Sequence, residues 1–109
     1  MKLYIGGAYQ GQDRLALKEN PEADLFLHFH ETIREKLSEG TDIRSFAEDF
    51  CKNHQDAVVV ADEIGCGIVP MDPMDRAWRE SVGRALCIIA GHADQVTRVT
   101  CGLGQRIKG

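Results

Sequence analysis

The sequence predicts an α/β fold: a small, mostly parallel sheet with flanking helices. Three stretches carry that expectation. The run Ala57-Val58-Val59-Val60-Ala61 is apolar and β-branched and ends on Asp62-Glu63, which is how a buried strand delivers carboxylates to a loop. Leu3-Tyr4-Ile5 is a second short apolar run, followed by the glycine-rich turn Gly6-Gly7-Ala8-Tyr9-Gln10-Gly11 and the helix-compatible Arg14-Leu15-Ala16-Leu17-Lys18. Met74, Trp78, Val82, Ala85, Leu86, Ile89 and Ala90 form a stripe with helical spacing, and strand-like alternation from Val96 to Cys101 follows it. The implied order is strand, helix, short strand, two helices, strand, helix, strand, the pattern of a parallel sheet with crossover helices.

Composition sets the bounds. The 109 residues suit a single domain over 1–109, and 43% apolar with 28% charged residues is ordinary for a globular chain. A net charge of −4, scattered basic residues and few aromatics argue against a nucleic-acid surface. No apolar stretch approaches the ~20 residues of a membrane span, and Met1-Lys2-Leu3-Tyr4-Ile5-Gly6 has no signal-peptide core, so the expected location is cytoplasmic, with no membrane partner. Cys51, Cys66, Cys87 and Cys101 lack CxxC spacing, which argues against zinc or a disulfide framework. Cys87, inside Leu86-Cys87-Ile88-Ile89, reads as a small buried hydrophobe; Cys66, within a glycine loop, is the one cysteine with a case for reactivity, and a structural role is the expectation there as well.

Taken in order, Asn20-Pro21 ends the first helix. Leu25, Leu27 and Phe29 alternate with Phe26, His28 and His30 as a short strand or extended segment. Glu31 to Ser38 reads as a helix with Ile33 and Leu37 inward, stopped by Gly40. Asp42 opens the next, with Ile43, Phe46, Ala47 and Phe50 on one face. His28 and His30 have no acidic or cysteine partner at ligand spacing, so a metal role is not expected, and His54 and His92 read as surface or helix-end residues. Asp62-Glu63 leads into Ile64-Gly65-Cys66-Gly67-Ile68-Val69-Pro70, which suits either a solvated turn or a nucleotide or metal site. Asp72-Pro73 starts the long helix, with Arg76, Arg79 and Arg84 off its apolar stripe. Gly91 ends it, and a basic tail follows Gly102-Leu103-Gly104.

Strand, glycine turn and helix is the setting of a phosphate-binding loop, where free backbone N–H groups and a helix N-terminus face an anion. Gly6-x4-Gly11 fits the Walker A spacing, yet Gln12 and Asp13 stand where that pattern has Lys and Ser or Thr. Gln12 donates hydrogen bonds without charge, and Asp13 suits a helix start while repelling phosphate.

Asp62-Glu63-Ile64-Gly65-Cys66-Gly67-Ile68-Val69-Pro70, then Arg76-x2-Arg79-Glu80-x2-Gly83-Arg84, Ala93-Asp94-Gln95-Val96 and Cys101-Gly102-Leu103, resembles the C-terminal half of the adenosylcobinamide kinase / adenosylcobinamide-phosphate guanylyltransferase family of cobalamin biosynthesis. Ile5-Gly6-Gly7-Ala8 resembles the start of that family's phosphate loop. The resemblance covers roughly residues 1–17 and 57–108, and three departures accompany it. Gln12 and Asp13 replace Lys and Ser or Thr, Asp62 replaces the family's Asn while Glu63 keeps its Glu, and the chain lacks the segment that carries the family's guanylylated histidine.

The resemblance implies a P-loop NTPase core of RecA-like type, a homo-oligomer, and GTP or ATP bound with Mg2+. It implies a phosphate cradle from Gly6, Gly7, Ala8, Tyr9, Gln10, Gly11, Gln12 and Asp13. Glu63 would orient magnesium-bound water, and so hold the metal indirectly, or accept the substrate hydroxyl proton, with Asp62 assisting. Arg76, Arg79 or Arg84 would replace the missing lysine charge. Two functions follow: phosphoryl or nucleotidyl transfer to a cobinamide, or a non-catalytic module that binds a nucleotide, a corrinoid or a partner subunit.

Overall fold

The computed structural model describes residues 1–64 and 72–109. Strand β1 (Lys2–Gly6) leads through the glycine turn into helix α1 (Gln12–Glu19), followed by strand β2 (Leu25–Phe26) and helices α2 (Phe29–Ser38) and α3 (Ile43–Asn53). Strand β3 (Val58–Asp62), helix α4 (Pro73–His92) and strands β4 (Gln95–Thr100) and β5 (Leu103–Lys108) complete the chain. The sheet order is β2-β3-β1-β4-β5, parallel except for β5. This is the α/β architecture expected, and it is consistent with a P-loop-type core. No helix among the described residues is long and apolar enough to cross a membrane.

The sheet is covered on both faces, which explains why β3 is apolar at every position from Val58 to Ala61. Leu3, Val59, Ala61 and Val96 pack against α2, α3 and α4 through Ile33, Ala47, Val82 and Ile89. Tyr4, Val58, Val60 and Val99 face α1, with Ala16 at the contact. On this side the Tyr4 hydroxyl donates to Glu19 Oε1 at 2.6 Å and accepts from Asn20 Nδ2 at 3.0 Å. Burial, then the bond to Glu19, holds the Tyr4 phenol above its ordinary pKa.

Several expectations change. The alternation at 25–30 yields a strand of two residues, because His28 adopts a left-handed φ of 54° and turns the chain into α2, which starts at Phe29. His28 and His30 therefore do not share the side of a strand. The tail is not a loose basic segment but β5, joined to β4 by a two-residue turn in which Cys101 (φ 52°) and Gly102 (φ 76°) are both left-handed, the geometry that suits tight hairpins. Met74 is 60% exposed at the start of α4, one turn before the stripe meets the core. Cys87 is exposed rather than buried, since it lies about 200° around the helix from the buried Ala85. Among the described cysteines the buried one is Cys51, where burial raises the thiol pKa, with Glu48 adding to it.

Candidate functional site

The C-terminal ends of β1 and β3 lie side by side, Gly6 paired with Asp62, and the Glu63 N–H donates to the Gly6 carbonyl at 2.7 Å. The chain leaves β1 for α1 on one face of the sheet and leaves β3 for α4 on the other. Such a divergence, at the C-terminal ends of the strands, is where α/β proteins form the crevice that takes ligands.

Gly6 roots the loop where no side chain fits: a Cβ there would stand 2.6 Å from the Val99 carbonyl oxygen of the neighbouring strand. Gly11 caps α1 with a φ of 89°, a conformation glycine takes without strain. Between them Tyr9 adopts a φ of 61° and its ring is fully exposed. Gln10 fastens the loop to the hairpin turn: its carbonyl accepts from Gly102 N and its Oε1 from Cys101 N, both at 2.7 Å.

Gln12 is 3% exposed and points back into the loop. Its Nε2 donates to Gly7 O at 3.1 Å and to Asp62 Oδ1 at 2.7 Å, with Gly6 O at 3.4 Å. A neutral amide thus braces the loop against the end of β3. Asp13 follows, with Oδ2 3.3 Å from His28 Nε2.

His30 holds Asp62 from the other side. Its Nδ1 accepts the Asp62 N–H at 3.0 Å, its Nε2 stands 3.6 Å from Asp62 Oδ2, and its carbonyl accepts from Trp78 Nε1 at 2.8 Å. The ring is 6% exposed, so α2, β3 and α4 meet at this imidazole. Glu63 is half-buried, and its Oε2 is fully covered without a hydrogen-bond partner among the described residues. The nearest cation to it is Arg98, at 3.6 Å.

The crevice therefore gathers Asp13, Asp62 and Glu63 around a loop that carries no lysine. No group of three or more His, Cys, Asp or Glu side chains among the described residues forms a metal cage. Magnesium seldom needs one, since it is commonly held by one or two carboxylates, water and substrate phosphates. The unsatisfied Glu63 oxygen fits that indirect role, whereas Asp13, turned to His28, is a poor replacement for the hydroxyl ligand of a phosphate loop.

The structure brings Gly6, Gly7, Ala8, Tyr9, Gln10, Gly11, Gln12, Asp13, Asp62 and Glu63 to one end of the sheet. Arg76 is exposed in the first turns of α4 and Arg79 is half-buried, while Arg84 forms an exposed ion pair with Glu80 and borders the space between α3 and α4. The glycine loop from Gly65 to Pro70, with Cys66, lies outside the described residues. Sequence reasoning did not single out His30 or Arg98 for this site. Their partners, Asp62 and Glu63, are far away in sequence, so spacing carried no signal.

The family model for cobinamide kinase / cobinamide phosphate guanyltransferase matches residues 10–107. A stretch of 51 residues is 41% identical to the bifunctional adenosylcobalamin biosynthesis protein CobU of Salmonella typhimurium. That stretch is 47% of this chain and 28% of that protein.

Proposed function

The chain belongs to the cobinamide kinase / cobinamide phosphate guanyltransferase family, and from that membership we propose that it acts in cobalamin biosynthesis, binding GTP or ATP with Mg2+ in the crevice between β1 and β3. A phosphoryl or nucleotidyl group would pass from that nucleotide to a cobinamide. The observation that carries this reading is the pairing of the glycine loop with the end of β3: Gln12 on Asp62, and the Glu63 N–H on Gly6, with the covered Glu63 Oε2 lacking a hydrogen bond among the described residues and facing Arg98 at 3.6 Å.

In this reading the loop from Gly6 to Gly11 and the first turn of α1 receive the phosphates. Gln12 keeps the loop folded and donates hydrogen bonds, but supplies no charge. Glu63 holds magnesium through water or takes the proton of the acceptor hydroxyl, and Asp62, fixed by Gln12 and His30, assists. Bound magnesium would supply charge neutralisation and orientation of the phosphates. Arg98, 3.6 Å from Glu63 Oε2, would lend charge as it develops, and Arg76 and Arg79 would do so from the first turns of α4.

A second reading is favoured by a specific observation. Gln12 and Asp13 are engaged with Asp62 and His28, so the two positions that normally hold phosphate charge and magnesium are committed within the protein. That arrangement suits a module that binds nucleotide, corrinoid or a partner subunit, a second copy of the chain included, without turnover. Calorimetric titration with GTP and ATP, with and without Mg2+, tests the shared binding step. Absence of binding removes both nucleotide readings, and steady conversion of adenosylcobinamide by the purified protein selects the enzyme.

A further inference from the structure

Outside the crevice, the glycine loop has a second wall. A cavity of about 350 Å³ opens between α1 and the β4–β5 turn, lined by Tyr9, Gln10, Arg14, Lys18, Cys101 and Gly102. Its size falls at the lower end of the range for small-molecule sites. Arg14 and Lys18 stand four residues apart on one face of α1, both exposed, and neither has a hydrogen bond or ion pair among the described residues. The fully exposed Tyr9 ring stands at the mouth on a strained backbone. The floor is firm, because Gln10 ties the turn to the loop by two hydrogen bonds of 2.7 Å.

Charge decides how a ligand would lie. The inner side of the loop carries Asp13, Asp62 and Glu63 around the neutral Gln12, whereas the unpaired cations stand on the outer side. We propose that this cavity is the base-and-ribose subsite of a purine nucleotide whose phosphates reach the loop, with Tyr9 stacking on the base and Arg14 and Lys18 supplying the positive charge that position 12 lacks. The proposal rests on the nucleotide-binding reading above and adds to it the orientation of the nucleotide. An exposed aromatic beside two cations at a phosphate-binding turn matches a planar base joined to an anionic tail.

The test uses the thiol of Cys101 in the cavity wall as a reporter, with the exposed Cys87 as internal control. Alkylation of each thiol by iodoacetamide is followed by mass spectrometry with Mg2+ and either GTP, ATP or inorganic tripolyphosphate. The proposal expects GTP or ATP to slow Cys101 several-fold, tripolyphosphate to leave it unchanged, and Cys87 to be unaffected. Tyr9→Ala weakens nucleotide binding roughly tenfold and leaves tripolyphosphate binding intact. Arg14→Gln with Lys18→Gln weakens both ligands. If GTP binds but neither Cys101 labelling nor the Tyr9→Ala affinity changes, the subsite is wrong and the nucleotide reading stands. Protection of Cys101 by tripolyphosphate likewise overturns it, because the cavity then takes phosphate rather than base. If neither GTP nor ATP binds, both fall.

Discussion

The Nε2 of Gln12 and the Oδ1 of Asp62 are 2.7 Å apart, joining residues 50 positions distant at the root of the glycine loop. A lysine at position 12 would meet the same carboxylate as an ion pair and present a full charge to phosphate. A charge-assisted hydrogen bond contributes about 1 kcal/mol more than a neutral one, close to the 1.4 kcal/mol that corresponds to tenfold in affinity. Gln12→Lys is therefore expected to tighten Mg2+–GTP binding about tenfold, measured by calorimetry. An unchanged affinity would show that phosphate does not approach position 12.

Glu63 makes a complementary case. A covered carboxylate oxygen without a hydrogen-bond partner is a cost to the fold, offset in part by Arg98 at 3.6 Å. Glu63→Gln removes the charge and keeps the shape. Its thermal midpoint should equal or exceed that of the parent protein, while the gain in GTP affinity on adding Mg2+ is lost. A lower midpoint together with an undiminished magnesium effect would place Glu63 in the structure and outside the chemistry.

His30 secures the same corner from α2. His30→Ala leaves the Asp62 N–H without its acceptor and opens a void beside Trp78, at an expected cost of about 3 kcal/mol. Urea unfolding measures that loss directly. GTP affinity should fall as well, since Asp62 then keeps only Gln12 as a brace. A loss under about 1 kcal/mol would mean that water takes over the imidazole's role at Asp62.

How much of this was legible in the sequence depends on the range of the interaction. β1, β3 and α4 announced themselves because each carries its own periodicity, and the glycine loop because its spacing is local. β5 was missed: Cys101-Gly102 lacks the Asn-Gly or Asp-Gly signal of a tight hairpin, and the alternation of Leu103, Gln105 and Ile107 faces solvent rather than core. Cys87 was misjudged because an apolar run hides which side of a helix a residue takes. Arg98 was invisible because only the parallel register of β1, β3 and β4 brings it to Glu63, and His30 because only the packing of α2 against β3 brings it to Asp62.

Tyr4 predicts a pH dependence on the opposite face of the sheet. Its folded pKa is raised above the ordinary value of 10.0, chiefly by burial and then by Glu19. A raised folded pKa means that the folded state holds the proton more tightly, so this contribution is fully present below the unfolded pKa. It declines as pH rises above that value toward the folded one. Tyr4→Phe should cost about 1 kcal/mol at pH 7, from the lost hydroxyl bonds to Glu19 and Asn20. It should also flatten the fall in stability above about pH 10, followed by urea midpoints across that range. An identical alkaline slope in parent and variant would assign the loss to other groups.

Gly6 and Gly7 are adjacent, yet the structure assigns them different tolerances. A Cβ at Gly6 would lie 2.6 Å from the Val99 carbonyl oxygen, backbone that cannot yield without moving β4 away from β1. A Cβ at Gly7 would meet only the Gln10 side chain, at 3.8 Å. Gly6→Ala is thus expected to cost roughly 2 kcal/mol or more, as overpacking against rigid neighbours does, lowering the thermal midpoint by about 10 °C. Gly7→Ala should stay within about 1 kcal/mol of the parent and keep its nucleotide affinity. Equal destabilisation by the two substitutions would mean that the β1–β4 contact is not what reserves position 6 for glycine. If only Gly6→Ala destabilises, the turn that receives phosphate is set by strand packing beneath it, and ligand contact is not needed to explain the residue.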